Sequence, residues 1–130
     1  MTKMTAEQLN SRLNQFTGTE NWHRYNGLFP KMLLTDGALY LAENAGAYWI
    51  FDAICSHQRK ALKDPMLRNF QFWTLKVSPD KKAVLTCERD SNDIAITQKL
   101  EYTDFPLPEI KIWVQPIGDG NYCAYLPSEH

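Results

Sequence analysis

The apolar residues change their spacing at Pro65, and that change limits the chain to few folds. Before it they recur at helical intervals: Leu9, Leu13 and Phe16, then Ile50, Ala53 and Ile54, with His57 on the same face. After it they recur at every second position, as in Ile110, Ile112 and Val114, which alternate with Lys111, Trp113 and Gln115. Helices followed by strands, with short connections between the strands, predict an α+β protein. The expected architecture is two or three N-terminal helices packed on one face of a C-terminal antiparallel β-meander of about five strands. No linker or repeat divides the 130 residues, so a single domain over 1–130 is expected.

The local signals give boundaries. Thr5 and Gln8 form a capping box, with Met4 and Leu9 as its hydrophobic staple, and Gly18 is a stop. The segment from Trp22 to Leu34 reads as an irregular aromatic connection with a helical turn at Leu28 to Leu33. Asp36 is expected to cap a helix from Gly37 to Asn44. A third helix is expected from Ala47 to Leu62, stopped by Asp64-Pro65, because a residue before proline avoids the α region. Strands are expected at Phe70 to Val77, Ala83 to Glu88, Ile94 to Tyr102, Glu109 to Gln115 and Tyr122 to Leu126. Pro106 and Pro108 mark a crossing or corner.

Charge narrows the function. Fourteen basic and fifteen acidic side chains leave a net charge of −1. That balance argues against a domain held to nucleic acid mainly through phosphates, although Arg59, Lys60, Lys63 and Arg68 form a local basic patch. No run approaches the ~18 apolar residues of a membrane helix, and the first ten residues lack the apolar core of a signal peptide. With three cysteines, Cys55, Cys87 and Cys123, and no Cys-x-x-Cys, the expectation is a reduced cytoplasmic protein.

Motifs for chemistry are absent. Cys55 and His57 lie two apart on a predicted helix and diverge by about 200°, so they do not chelate together. There is no nucleophile elbow and no phosphate-binding glycine loop, and Gly118 and Gly120 belong to a hairpin turn. No catalytic residue, cofactor or metal is therefore expected. Two clusters remain as candidates. Trp73, Trp113, Tyr125 and Tyr102 are candidates for the uncovered face of the sheet, as a surface for a protein partner or for self-association, the alternative being that loops or the segment from Trp22 to Leu34 cover them. Tyr48, Asp52, Cys55 and His57 would line a pocket between the third helix and the sheet, the alternative being a small-ligand binder or enzyme. Weak nucleic-acid binding ranks last.

Several strings occur together: Leu9-Asn10 to Phe16-Thr17-Gly18-Thr19, Leu34-Thr35-Asp36-Gly37, Tyr40 through Trp49, Phe72-Trp73 with Leu75, Glu101 through Leu107, and Leu126-Pro127-Ser128-Glu129. With them the chain resembles a family of small bacterial proteins that form a domain of unknown function, common in cyanobacteria and frequent on plasmids and mobile elements. The likeness covers nearly the whole chain, apart from His130 and the cysteine-containing turns. It implies a bacterial, cytoplasmic accessory protein and brings no activity, cofactor or site residue.

Overall fold

The computed structural model describes residues 5–15, 22–24, 31–118 and 120–129. The described residues form an α+β fold with five α-helices and one seven-stranded mixed sheet. The first helix, α1, spans Ala6–Leu13, and Thr5 and Gln8 close the capping box in both directions. Met4, Phe16 and Gly18 lie outside the described residues. Leu9 and Leu13 are buried, as one narrow stripe requires.

The aromatic connection contains two strands that the sequence reading did not contain. These are β1 (Trp22–Arg24) and β2 (Met32–Thr35), paired antiparallel. The expected helical turn is therefore overturned at Met32 and Leu33, and residues 28–30 lie outside the described residues. Thr35, rather than Asp36, caps helix α2 (Asp36–Asn44), its hydroxyl accepting from the Ala38 amide at 3.2 Å. The expected third helix is broken in two, α3 (Tyr48–Ser56) and α4 (Gln58–Ala61). At the break the His57 amide is shared between the Ala53 and Ile54 carbonyls, each 3.3 Å away. Asp64-Pro65 does end that stretch, but it also starts α5 (Pro65–Asn69). Asp64 accepts from the Met66 and Leu67 amides, and Pro65 occupies the first turn, where no amide is needed.

Five strands follow, close to the expected bounds: β3 (Gln71–Val77), β4 (Ala83–Asp90), β5 (Asp93–Leu100), β6 (Glu109–Gly118) and β7 (Asn121–Tyr125). They are not a meander, and the sheet is not purely antiparallel. The strand order is β1-β2-β7-β6-β3-β4-β5, and β2 runs parallel to β7. The chain leaves the β5 edge, crosses the sheet end and returns as β6 beside β3. Two backbone bonds fasten this crossing: Thr103 N to Lys81 O and Val77 N to Pro108 O, both 2.8 Å. Phe105 and Leu107 bury themselves beneath it.

One hydrophobic cluster fills the space between the helices and one face of the sheet. Leu9, Leu41, Ile50, Phe51 and Ile54 come from the helices, and Trp73, Leu75, Leu85, Ile112 and Val114 from the strands. Val114, Leu75 and Leu85 are at most 1% exposed, as expected for a face covered by helices. No helix among the described residues is long and apolar enough to cross a membrane.

Candidate functional site: the open face and the cleft

The pairing register fixes what the face away from the helices presents. Tyr125 pairs with Trp113, Trp113 with Phe72, Phe72 with Glu88, and Glu88 with Ile94. These five side chains form one row across β7, β6, β3, β4 and β5. The next row is Lys111, Thr74, Thr86 and Thr97, and beyond it come Glu109, Lys76, Val84 and Lys99. The open face thus carries an aromatic row flanked by hydroxyls, three exposed lysines and the exposed Glu109.

The rings pack on each other. Phe70 stacks on Phe72 with centroids 4.5 Å apart, and Trp113 meets Phe72 edge-on at 5.4 Å and Tyr125 edge-on at 6.2 Å. Tyr125 is buried, and its hydroxyl donates to Gln115 Oε1 at 3.1 Å. Burial pushes that phenol up to about 12. Ile94, at the far end of the row, is 52% exposed. Between Trp113, Phe72 and the β4–β5 turn lies a pit of about 240 Å³, edged by Glu88, Asp90 and Lys111.

The four residues expected on this face divide. Trp113 and Tyr125 are in the row. Trp73 lies on the opposite face and is 1% exposed, its indole donating to Gln71 Oε1 at 2.8 Å. Leu75 and the buried Gln71 share its side, so the strand turns this set to the helices and leaves Phe72 outside. Tyr102 is 71% exposed but stands beyond the end of β5. Phe70, Phe72 and Ile94, which the sequence reading did not single out, complete the surface.

A cleft of about 530 Å³ opens on the helix side. Its walls are Met32 of β2, Cys55 of α3, Gln58 and Leu62 around α4, and Tyr122 of β7, with Lys31 and Gly120 also lining it. Of the expected pocket residues, only Cys55 is there. Tyr48 and Asp52 are exposed, and His57 is half-buried with its Nε2 2.7 Å from Gln98 Oε1 and its ring tilted against Trp73. This cleft lies between helix and sheet, and apart from Cys55 its wall is built from residues outside the expected set.

Burial pushes the thiols of Cys55, Cys87 and Cys123 up to about 12. They are unbridged and buried, and of the three only Cys55 lines the cleft, where it offers a weakly polar thiol and no thiolate. Among the described residues, no cluster of three or more His, Cys, Asp or Glu is placed to hold a metal ion.

Two polar constellations escaped the sequence reading. Gln58 and Gln71 exchange amide hydrogen bonds at 2.9 and 2.8 Å, and Trp73 adds a third bond to the same Gln71 oxygen. Gln71 is completely buried, and this network satisfies it. The second constellation lies at the start of α2. The buried Glu129 carboxylate accepts from Thr35 Oγ1 at 2.6 Å, from the Gly37 amide at 3.0 Å and from the Leu126 amide at 3.0 Å. His23 Nε2 lies 2.6 Å from Asp36 Oδ1 next to it. A carboxylate at a helix N-terminus meets both the free amides and the positive end of the helix dipole, which accounts for Glu129 structurally. Gly37 left a sequence signal, being an uncommon residue in the first turn of a helix.

No curated protein and no solved structure matches the chain. The model of a family of unknown function, DUF6876, matches residues 7–130. The protein belongs to that family.

Proposed function

We propose that the protein is a non-enzymatic interaction module that receives an acidic amphipathic helix of a partner protein on the open face of its sheet. The row Tyr125-Trp113-Phe72-Glu88-Ile94 supports this reading. Sheet faces are apolar where they are covered, and this row is apolar at four of its five positions. Its accessible part, from Trp113 to Ile94, crosses four strands, which at ~4.8 Å spacing is about 14 Å, the length of roughly ten helical residues. A helix laid along it would put an apolar stripe on Trp113 and Phe72. Its flank would face Lys111, Lys76 and Lys99, and those ammonium groups favour acidic side chains there. The pit beside Trp113 has room for one anchoring side chain. In the bacterial, cytoplasmic, mobile-element setting that the sequence resemblance implies, the partner is a host protein.

The test uses a helical peptide of about fourteen residues with leucines at helical spacing and glutamates on the flanks, and a twin with lysines in place of the glutamates. The glutamate peptide is expected to bind, to move the Trp113 indole resonance, and to weaken with salt. Trp113→Ala and the surface change Lys111→Glu should each weaken it. Equal binding of both peptides, or of neither, overturns the reading. Light scattering that shows a dimer dissolved by Trp113→Ala replaces the partner with a second copy of the chain. Binding of single-stranded DNA to the same row replaces it with nucleic acid.

A further inference from the structure

The cleft beneath α3 and α4 is separate from the open face, and its walls select by chemistry. Met32, Leu62 and the Tyr122 ring are apolar, and the Cys55 thiol beside them stays protonated because burial pushes it up to about 12. The Gln58 amide is a polar group at the wall, but it is committed to Gln71 and to the Ile54 carbonyl. No carboxylate appears among the described lining residues. Among the described lining residues, Lys31 is the one charged group. Its side chain is exposed at the mouth, and it has no ion-pair partner among the described residues. Its Nζ stands 3.7 Å from the point where a Cβ on Gly120 would lie. Gly120 has φ +77°, so the turn requires glycine there, and that also leaves the mouth open beside the ammonium.

A volume of about 530 Å³ lies within the range of small-molecule sites. An apolar hollow with a single cation at its rim suits a ligand of matching polarity: a hydrocarbon or aromatic body inside and one anionic group outside. A cationic ligand would meet Lys31 with like charge, and a strongly polar one would find little to bond among the described lining side chains beyond the Tyr122 hydroxyl, because the Gln58 amide is committed. We propose that this cleft binds a small apolar monoanion, an aromatic or medium-chain carboxylic acid, with the body against Met32, Cys55 and Leu62 and the carboxylate at Lys31. The site requires nothing of the open face, so it stands or falls independently of the helix-docking surface.

The test compares naphthoate with its uncharged carboxamide on the full chain. Binding is followed by calorimetry and by the methyl resonance of Met32, with the exposed Met66 as an internal control. Naphthoate is expected to shift Met32 and leave Met66 unmoved. Lys31→Met, a surface change, should weaken naphthoate by about three- to fivefold, the worth of an exposed ion pair, and leave the carboxamide unaffected. Leu62→Phe should fill the hollow and weaken both, and its near-ultraviolet circular dichroism should match the parent. If that variant does not fold, the Lys31→Met comparison decides alone. Equal binding of acid and amide, or an unmoved Met32 methyl, overturns the proposal.

Discussion

Replacing Glu129 by Ala should destabilise the protein far more than the loss of one carboxylate from a helical turn normally does. The Glu129 side chain is 4% exposed and accepts three hydrogen bonds, from Thr35, Gly37 and Leu126. Without it, two backbone amides and a hydroxyl lose a charged acceptor in a buried place. Hydrogen bonds to charged groups contribute ~1.5–3 kcal/mol each, and water entering the gap recovers part of that, so the expected loss is about 3 kcal/mol. With an unfolding entropy of ~2.1 cal/mol/K per residue, this lowers the midpoint of a 130-residue chain by roughly 11 °C. Gly37→Ala should destabilise by a different route. A Cβ at that position would stand 2.6 Å from Glu129 Oε1 and 2.9 Å from Leu126 Cδ1, so the carboxylate must leave the helix end. The two changes together give a sharper test than either alone. Once Glu129 is Ala, the carboxylate clash is gone and only the flexible end of Leu126, whose Cδ1 would be 2.9 Å away, must shift, so Gly37→Ala should cost much less than in the parent, offset by the ~0.5–1 kcal/mol preference of a helix for alanine over glycine. Thermal or urea unfolding of the four proteins measures the cycle. Strictly additive losses, or a drop below ~2 °C for Glu129→Ala, would refute the idea that this carboxylate holds the helix end.

Two other perturbations probe the polar groups behind the helices. Gln71→Leu should cost ~1–3 kcal/mol in urea unfolding, because the buried Trp73 indole loses its acceptor. Adding Trp73→Phe should recover much of that loss, and failure to recover would assign the cost to packing instead. The Arg89 guanidinium beside Asp64 holds that carboxyl below the usual aspartate range, chiefly through the bond from its Nε at 2.5 Å. A depressed carboxyl contributes stability that is present above its unfolded value and lost as the pH falls through its folded one. Arg89→Met should therefore move the Asp64 carboxyl titration, followed by carbon NMR, upward toward ordinary aspartate, and an unmoved titration would sink the assignment.

What could be read from the sequence was local. The Thr5–Gln8 capping box, the period change after Pro65 and the strand limits near Val77, Ala83 and Glu109 all depend on residues a few positions apart. The strands that escaped depend on distant ones. β2 is only four residues long, and it is a strand because β7, far along the chain, runs parallel beside it. The β6 strand has no local mark that directs it to β3 rather than to β5. On the open face, alternation showed two sides to β3 but not which one the helices cover. Phe70 and Phe72 offer one apolar set, and Trp73 and Leu75 the other. Asp64-Pro65 shows the same ambiguity at smaller scale, since one dipeptide both closes α4 and opens α5. In the cleft, Cys55 was within reach because it faces the sheet from a long apolar stretch. Lys31, Met32 and Tyr122 were not, because they come together only through the parallel pairing.

That parallel pairing also sets an order of events. The Gly37 amide waits for a carboxylate 92 positions later in the chain, and β2 waits for β7. During vectorial synthesis the early strands and α2 emerge long before their partners and must remain unsatisfied or find substitutes. Contacts of such sequence separation slow folding, because a large loop must close before they contribute anything. A cut in the Asp80–Lys82 turn would leave an amino-terminal piece holding β1, β2 and β3 without the strand that bridges β2 to the rest of the sheet. Each half lacks strands that the other pairs with, so such fragments are expected to gain order only on meeting each other.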